Sequence, residues 1–351
     1  MRKATDKSLI SDLRAIKGTE KPQGIVVFSI MKNERFFIHA FLDHYRNIGA
    51  DHFLILDDGS DDGTLEYLLD QGDVTVLTSS FAYGEVYKRQ SLRFWRKTEM
   101  RAGIRLKALI PSQYLANQWC IYADADEFLI MPPAYDNLRH LLRRLDSNDI
   151  RVVLGVVVEF YPEKVSDLKQ PLGRIKSFGE LVEACPYFDA VPLLRMTPLG
   201  DIERLNRSAS GRLFDSFGVD FGSESEVKSE HEVLAAKGRK KLAIGSATHK
   251  LPIIKPGKRV YLLSGHQASV KPSALIAVTV CHFKFTPDAL RRTDLAIQTG
   301  AWSQGSQKYT KYQLLFKKML ESNGRFLGSD SVSFSSVYDF EKSGNVWDFL
   351  R

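Results

Sequence analysis

The sequence predicts an α/β fold with a doubly wound, mainly parallel sheet, on the basis of two observations. Short runs that are almost entirely apolar, such as GIVVFSI at 24–30 and HFLIL at 52–56, are typical of strands buried on both faces. Between them, residues 31–49 place apolar side chains at helical spacing and end at Gly49. Strand, helix and strand in this order form a βαβ unit, which requires parallel strands with helices packed on the sheet.

The same alternation continues along the chain. The next predicted elements are a helix at 63–70, a strand at 74–77, a helix at about 86–108, strands at 119–123 and 151–160, strand-like runs at 249–285 and a helical stretch at 288–320. Residues 161–245 have no sustained period, so short irregular elements around a site are expected there. We divide the chain into a polar, loosely docked N-terminal tail at 1–22, two halves of one α/β domain at 23–131 and 132–287, and a helical extension at 288–351.

Composition indicates a globular protein with anionic partners. The 351 residues are 44% hydrophobic, which is enough to bury a full core, and carry a formal net charge of +7. The three cysteines share no CxxC spacing, so neither a disulfide scaffold nor a zinc site is expected. No apolar run approaches the roughly 20 residues of a membrane helix, and the N-terminus does not resemble a secretory signal. The prediction is a cytoplasmic protein that can touch the inner membrane peripherally.

Polar side chains follow three of the predicted strands. They are Asn33 and Glu34 after the first, Asp57, Asp58, Asp61 and Asp62 after the second, and Asp124, Asp126 and Glu127 after the strand at 119–123. Ligands of open parallel sheets bind outside the carboxyl ends of the strands, so a site is predicted where these ends meet.

The four aspartates at 57–62 have competing interpretations. Asp61 and Asp62 are predicted to cap the helix that follows, since Asp is favoured at helix N-termini. An EF-hand calcium loop is excluded, because its twelfth position would be Leu69 where a bidentate Glu is needed. Asp57 and Asp58 adjoin the strand and remain candidate ligand contacts.

The stretch YADADEF at 122–128 indicates a divalent metal site. Asp124 and Asp126 can approach one ion together, and oxygen donors suit Mg²⁺ or Mn²⁺. The other chemistry for two such carboxylates is an aspartyl-phosphate phosphatase, whose motif normally follows the first strand and continues with Thr. Here the motif comes late and continues with Glu127 and Phe128.

Three motifs, in this order and each after a predicted strand, resemble the family 2 glycosyltransferases with a GT-A fold. They are Lys32–Glu34, LDDGSDDGT at 56–64 and ADADEF at 123–128. A bacterial branch of that family also reads H-x-x-x-x-G-x-D-H-F, which corresponds here to residues 44–53. The resemblance covers residues 23–131, which would be the nucleotide-sugar-binding half, and leaves 132–287 as the acceptor and catalytic half.

The resemblance implies a role for each matching position. Asn33, Glu34 and one of Asp57 or Asp58 would hold the base and ribose of a nucleoside diphosphate sugar. Asp124 would contact the ribose and, with Asp126, a Mn²⁺ or Mg²⁺ ion that bridges the diphosphate. His282 in CHFKF would complete the metal shell, and Lys284 would contact a phosphate; His249 and His266 are lesser metal candidates.

An inverting transfer also needs a carboxylate base for the acceptor hydroxyl, and no residue matches a family motif for it. The candidates are Asp215, Asp220, Glu224, Glu226, Glu159 and Glu163. Of these candidates, we choose Asp220 as the predicted general base.

Two further patterns bear on the partners. The basic residues Arg89, Arg93, Lys97, Arg101 and Arg105 recur every fourth position and would form a stripe on the helix at 86–108. That stripe could be a solvated face or could meet a diphosphate, an acidic glycan or an anionic membrane. The aromatic residues Trp302, Tyr309 and Tyr312 could form a platform for an acceptor sugar or pack on the sheet.

The function predicted is metal-dependent transfer of a sugar, in polysaccharide synthesis, from a uridine diphosphate donor to a glycan or lipid-linked acceptor, with no nucleic acid partner. The alternatives are a sugar-phosphate nucleotidyltransferase or phosphatase, and a nucleotide-sugar-binding protein without catalysis.

Overall fold

A computed structural model describes residues 3–19, 21–89, 98–170, 173–197, 199–220, 247–300 and 307–350. The helices are α1 Asp6–Asp12, α2 Ile38–Asn47, α3 Thr64–Leu69, α4 Ala102–Tyr114, α5 Leu138–Ser147, α6 Phe178–Ala184, α7 Ala209–Ser216, α8 Ala289–Thr299, α9 Gln307–Glu321 and α10 Tyr338–Lys342, with a 3₁₀ helix at Val165–Lys169. The strands are β1 Lys3–Ala4, β2 Arg14–Lys17, β3 Val26–Met31, β4 His52–Asp57, β5 Val74–Thr78, β6 Val86–Arg89, β7 Thr98–Arg101, β8 Cys120–Tyr122, β9 Glu127–Ile130, β10 Val152–Glu159, β11 Tyr187–Asp189, β12 Leu194–Met196, β13 Ile202–Arg204, β14 His249–Ile254, β15 Leu262–Ser264, β16 Gln267–Ala268, β17 Ile276–His282, β18 Ser331–Ser333 and β19 Trp347–Asp348.

The central sheet confirms the α/β fold class. Within the described ranges its strands follow the order β19-β17-β10-β14-β8-β3-β4-β5-β2, and β9 also pairs with β17. Strands β8, β3, β4 and β5 are parallel neighbours. The chain runs outward from β3 through β4 to β5 and then returns to β8 on the other side of β3. This reversal of direction is the switch point of a doubly wound sheet, where ligands bind.

The second half of the sheet is mixed. β14 pairs antiparallel with both β8 and β10, whereas β10 and β17 are parallel. β9 turns back directly after β8 and pairs antiparallel with β17. This pairing brings the acidic turn at 124–127 next to His282, because His282 lies opposite Glu127 in the ladder.

Two hydrophobic clusters support this sheet. The larger one contains the sheet strands, and all eight residues of β10 are buried, as expected for a strand covered on both faces. A smaller cluster lies under α7 and α9 and includes Phe214, Phe285, Leu315 and Phe316. It fixes α9 at the end of β17, beside the acidic turn.

The expectation of a loosely docked N-terminal tail is wrong for residues 3–17. Leu9 is fully buried, and β2 pairs antiparallel with β5 at the edge of the sheet. Thr5 and Ser8 form a capping box at the start of α1. The segment is polar because one face of it is exposed, and a sequence pattern of seven helical residues is too short to reveal the buried face. The boundaries at 131 and 287 stay a prediction, and one sheet runs through both.

The predicted helix at 86–108 is also wrong in its first half. β6 and β7 form an antiparallel pair, and the helix α4 begins only at Ala102. Arg89 and Arg101 therefore lie in strands, and Arg105 in α4 binds Asp6 through two hydrogen bonds. The basic stripe does not exist on the described residues, while Arg93 and Lys97 lie outside them. Pairing of β6 with β1 overrides the local helical spacing.

The other predicted elements agree with the structure. α2 and α3 occupy the predicted helices, and Gly49 takes the left-handed conformation (φ 100°) that ends α2. The predicted helical stretch at 288–320 contains α8, which is followed by Gly300 in the left-handed conformation (φ 58°), and α9, which is described from Gln307. The described part of 161–245 contains short elements, as expected. No helix in the described ranges has the length and apolar character needed to cross a membrane.

His44, the first residue of the H-x-x-x-x-G-x-D-H-F motif, has a structural role. It is buried in α2, bonds through Nε2 to the carbonyl of Leu129 in β9, and packs against Phe128 and Phe178. Burial lowers the pKa of this imidazole to about 4. The folded protein thus takes up a proton at this ring less readily than the unfolded chain does.

We expect the free energy of unfolding of His44→Gln to depend less on pH than that of wild type below about pH 6.5. A lowered folded-state pKa gives stability that is complete above the ordinary pKa near 6.5 and is lost as pH falls toward 4. For His44 this loss amounts to about 2 to 3 kcal/mol between about pH 7 and pH 4.5. Urea unfolding at both pH values measures it. The exposed His140→Gln is the control, and an equal acid loss in wild type and His44→Gln would contradict the assignment.

Candidate active site

A cleft of about 270 Å³ lies at the carboxyl ends of β3, β4 and β8, at the switch point of the sheet. The end of β17, the strand β14 and the helices α4, α8 and α9 contribute further lining residues. The predicted site residues in its wall are Glu34, Asp58, Asp124, Asp126, His282 and Lys284. Residues from distant parts of the sequence therefore meet at one edge of the sheet.

Asn33 and Asp61 join the loops after β3 and β4. The Asn33 amide donates to Asp61 Oδ1 at 2.7 Å, and its carbonyl oxygen accepts from the Asp61 backbone N–H at 2.8 Å. Asn33 has a positive φ of 57°, and its backbone N–H donates to Ser60 Oγ. Both side chains are thus committed to loop structure. This pairing differs from the predicted capping role of Asp61.

Asp57 and Asp62 shape the same loop. Asp57 Oδ2 accepts from the backbone N–H groups of Gly59 and Ser60, both at 3.0 Å. Asp62 Oδ1 accepts from the N–H of Thr64, the first residue of α3, although the N-cap position itself is Gly63. Asp62 therefore bonds the start of α3 as expected, but it stands one residue before the N-cap position.

Asp58 is the member of the Asp57–Asp58 pair that lines the cleft. Its Oδ1 accepts from the backbone N–H of Tyr83 at 2.7 Å, and burial raises the pKa of this carboxyl group. The sequence leaves Asp57 and Asp58 open as nucleoside contacts, and of these two only Asp58 lines the cleft.

Two lysines hold Asp124. Lys107 Nζ lies 3.0 Å from Oδ1 and Lys250 Nζ lies 2.6 Å from Oδ2. The Tyr122 hydroxyl also donates to Oδ1, at 2.9 Å. Burial would raise the pKa of Asp124, but the two ammonium groups hold it well below its ordinary value. Asp124 is therefore an ionised carboxylate at the centre of a cationic cluster.

Glu127 stabilises the turn between β8 and β9. Its Oε2 accepts from the Asp124 backbone N–H at 3.1 Å and forms an ion pair with Lys250. Burial raises the pKa of this carboxyl group, and Lys250 opposes that rise. Lys250 thus bridges Asp124 and Glu127 while it is itself buried.

Asp126 faces a different set of cations. Its Oδ2 accepts from Arg292 of α8 at 2.9 Å and lies 3.3 Å from His282 Nε2. These two groups outweigh burial and hold the pKa of Asp126 far below its ordinary value. Arg292 Nη2 also lies 3.6 Å from Glu34 Oε1 and lowers the pKa of that carboxyl group. Burial has the larger effect and raises the pKa of Glu34 to about 8. One guanidinium thus connects the loop after β3 with the acidic turn.

The metal prediction can be tested against these donors. Ligands of one octahedral cation at about 2.1 Å lie about 3 Å apart, which fits Asp126 Oδ2 and His282 Nε2. The two carboxylate oxygens of Asp124 instead form ion pairs with Lys107 and Lys250. Among the described residues, no group of three His, Cys, Asp or Glu side chains is arranged to hold a metal. Two protein donors would leave most positions around a cation to substrate phosphates and water, an arrangement common for Mg²⁺.

The remaining candidates are placed as follows. His266 lines the cleft and its Nδ1 bonds to the backbone carbonyl of His249. Asp220 is exposed beyond α7 and is not in the lining of the cleft. Asp215, Glu159 and Glu163 form ion pairs with Arg207, Lys284 and Arg325 respectively. Residues 224 and 226 lie outside the described ranges, so the choice of Asp220 as base stays a prediction without support from its position.

Sequence analysis identified Lys284 but missed three other cations of the site. Lys107, Lys250 and Arg292 come from α4, β14 and α8, and they carry no motif. Lys250 stands in the THK stretch, where only the neighbouring His249 drew attention. Tyr309 and Tyr312 do line the cleft, while Trp302 lies outside the described residues.

One protein-family model matches part of this chain. Residues 29–188 match the model of glycosyltransferase family 92, a range that begins in β3, ends in β11 and covers less than half of the chain. The match supports a glycosyltransferase. The glycosyltransferase match includes Glu34, Asp58, Asp124 and Asp126 and leaves out His282.

Among solved structures, the chain is similar to the crystal structure of S. aureus TarS 1-349. The sequences are 14% identical, the TM-score is 0.30, and the alignment covers 85% of this chain and 71% of that chain. No curated protein matches.

Proposed function

We propose that this protein is a GT-A-type glycosyltransferase that moves a sugar from a uridine diphosphate donor to a glycan or lipid-linked acceptor. One observation carries the proposal: the segment that matches a glycosyltransferase family supplies Glu34, Asp58, Asp124 and Asp126 to a single cleft at the switch point of the sheet. Doubly wound sheets bind nucleotides at this place. The family 2-like branch and an inverting course belong to the same proposal.

The donor would be held by the loops after β3, β4 and β8. Glu34 and Asp58 line the cleft and would accept hydrogen bonds from the base or ribose. Asn33 and Asp57 would act indirectly, because their side chains fix the loops that carry Glu34 and Asp58. Lys107 and Lys250 would face the diphosphate while they keep Asp124 ionised.

We propose that Asp126 and His282 contribute to a Mn²⁺ or Mg²⁺ site. A divalent cation supplies neutralisation of the charge that develops on a diphosphate leaving group. The chain's own part is to keep Asp126 deprotonated, which the charge of Arg292 does. Arg292 adds a fixed positive charge near the same leaving group, at the cost of competing for Asp126 Oδ2.

Donor hydrolysis and binding test this proposal. Wild-type protein is incubated with a panel of nucleotide sugars, with Mn²⁺, with Mg²⁺ and with a chelator, and release of the nucleoside diphosphate is measured. We expect release from a uridine diphosphate sugar and a loss of at least about tenfold on chelation. If no nucleotide sugar is hydrolysed or bound, the glycosyltransferase proposal fails. If chelation leaves hydrolysis unchanged, the proposed metal site is wrong, while the glycosyltransferase proposal stands.

A further inference from the structure

The α9 side of the cleft carries positive charge and aromatic rings together. Lys284 follows β17, and Lys308, Tyr309 and Tyr312 belong to α9; all four side chains line the cleft. Lys284 Nζ lies 4.7 Å from the centre of the Tyr312 ring and Lys308 Nζ lies 6.0 Å from it. We call these four residues the basic wall.

Lys284 is held in place by a buried network. Its Nζ donates to Tyr312 Oη at 2.8 Å and to Glu159 Oε1 at 3.2 Å. Glu159 also accepts from the backbone and hydroxyl of Ser210, and the Tyr312 hydroxyl donates to Ser210 Oγ. These bonds keep the pKa of Glu159 low, at about 2, so its charge offsets that of Lys284. The position of the Lys284 ammonium is thus fixed before any ligand arrives.

Lys308 adds a second ammonium group beside the first. Burial and the charge of Lys284 lower the pKa of Lys308 to about 7, even though Glu159 raises it. Two ammonium groups near one aromatic ring repel each other, and an anion that contacts both would offset the repulsion and the lost hydration. The wall is therefore built to gain from an anionic ligand.

We propose that the basic wall binds an anionic group, a carboxylate or a phosphate, on the acceptor, with Tyr309 offering its ring to the acceptor sugar. The inference rests on the proposed function and names the acceptor class for the same cleft. The residues proposed for the base and ribose follow β3 and β4, whereas the wall comes from the segment after β17 and from α9. Lys284 is accordingly assigned to the acceptor instead of the donor phosphate. Tyrosine suits this role, since it presents an apolar ring and a polar tip.

Binding of inorganic phosphate tests the wall directly. Dialysis measures its Kd for wild type, Lys308→Met and the control Lys317→Met, whose exposed lysine lies on the same helix. All measurements are repeated with saturating uridine diphosphate and Mg²⁺. We expect Lys308→Met to weaken phosphate binding about tenfold or more, the control to bind as wild type, and uridine diphosphate to leave the Kd unchanged. Competition between the two ligands, or unchanged binding by Lys308→Met, would overturn the proposal.

Transfer rates give the second test. With a methyl hexuronoside as acceptor, we expect Lys308→Met to lower kcat/KM about 10- to 100-fold, and with the matched neutral methyl hexoside to change it by less than about threefold. Equal losses with both acceptors would reject the anion subsite. Donor hydrolysis by wild type separates the two proposals: its absence overturns the proposed function, whereas hydrolysis with phosphate binding independent of Lys308 overturns only the acceptor subsite.

Discussion

Replacing Asp126 by asparagine is expected to lower kcat/KM for sugar transfer about 100- to 1000-fold, the effect of removing one charged group that acts on the leaving group. Asp126 is the carboxylate nearest to both His282 and Arg292, and it is buried at the switch point of the sheet. Asparagine keeps the size of the side chain and removes its charge. His282 and Arg292 then lose the anion that positions them. Steady-state transfer at saturating donor measures the change.

The control for this prediction is Asp136→Asn, an exposed aspartate ahead of α5. It should have wild-type activity. Uridine diphosphate titrations with Mg²⁺ locate the defect further: we expect the metal-dependent part of the affinity to disappear in Asp126→Asn, while the protein stays folded by circular dichroism. Activity within about threefold of wild type would mean that Asp126 only pairs with Arg292.

The parallel half of the fold could be predicted because its signals are local. Buried strands such as β3 and β4 are continuous apolar runs, and Gly49 marks the end of α2. The strand-end rule then placed Glu34, Asp58, Asp124 and Asp126 at one edge without knowledge of any contact. These predictions needed only spacing along the chain and the geometry of parallel strands.

The rest depended on tertiary contacts that spacing does not encode. The hairpin β6–β7 forms because β1 pairs with β6, which the helical spacing of 86–108 cannot reveal. Lys250 and Arg292 reach the acidic turn from 123 and 166 residues away in sequence. Adjacent carboxylates also took different roles, since Asp57 bonds its own loop while Asp58 faces the cleft. The residue types and their spacing predicted where the site lies. The contacts of each carboxylate could be read only from the folded structure.

Replacing Lys250 by methionine is expected to lower the free energy of unfolding by about 3 to 5 kcal/mol, the usual result of breaking a buried ion pair from one side. Lys250 is 4% exposed and contacts both Asp124 and Glu127. Methionine fills nearly the same volume, so the cost comes from the carboxylates left behind. Urea unfolding at about pH 7 measures it, and the exposed Lys317→Met is again the control.

Second substitutions show which carboxylate is responsible. After loss of Lys250, Asp124 still has Lys107 at 3.0 Å and the Tyr122 hydroxyl at 2.9 Å, whereas Glu127 keeps only the Asp124 backbone N–H among its described side-chain contacts. Glu127→Gln in the Lys250→Met background should therefore restore most of the lost stability, and Asp124→Asn should restore much less. Equal recovery by both, or a Lys250→Met cost below about 1 kcal/mol, would contradict this account. The outcome decides whether Lys250 belongs to the donor site alone or also holds the acidic turn in the shape on which that site depends.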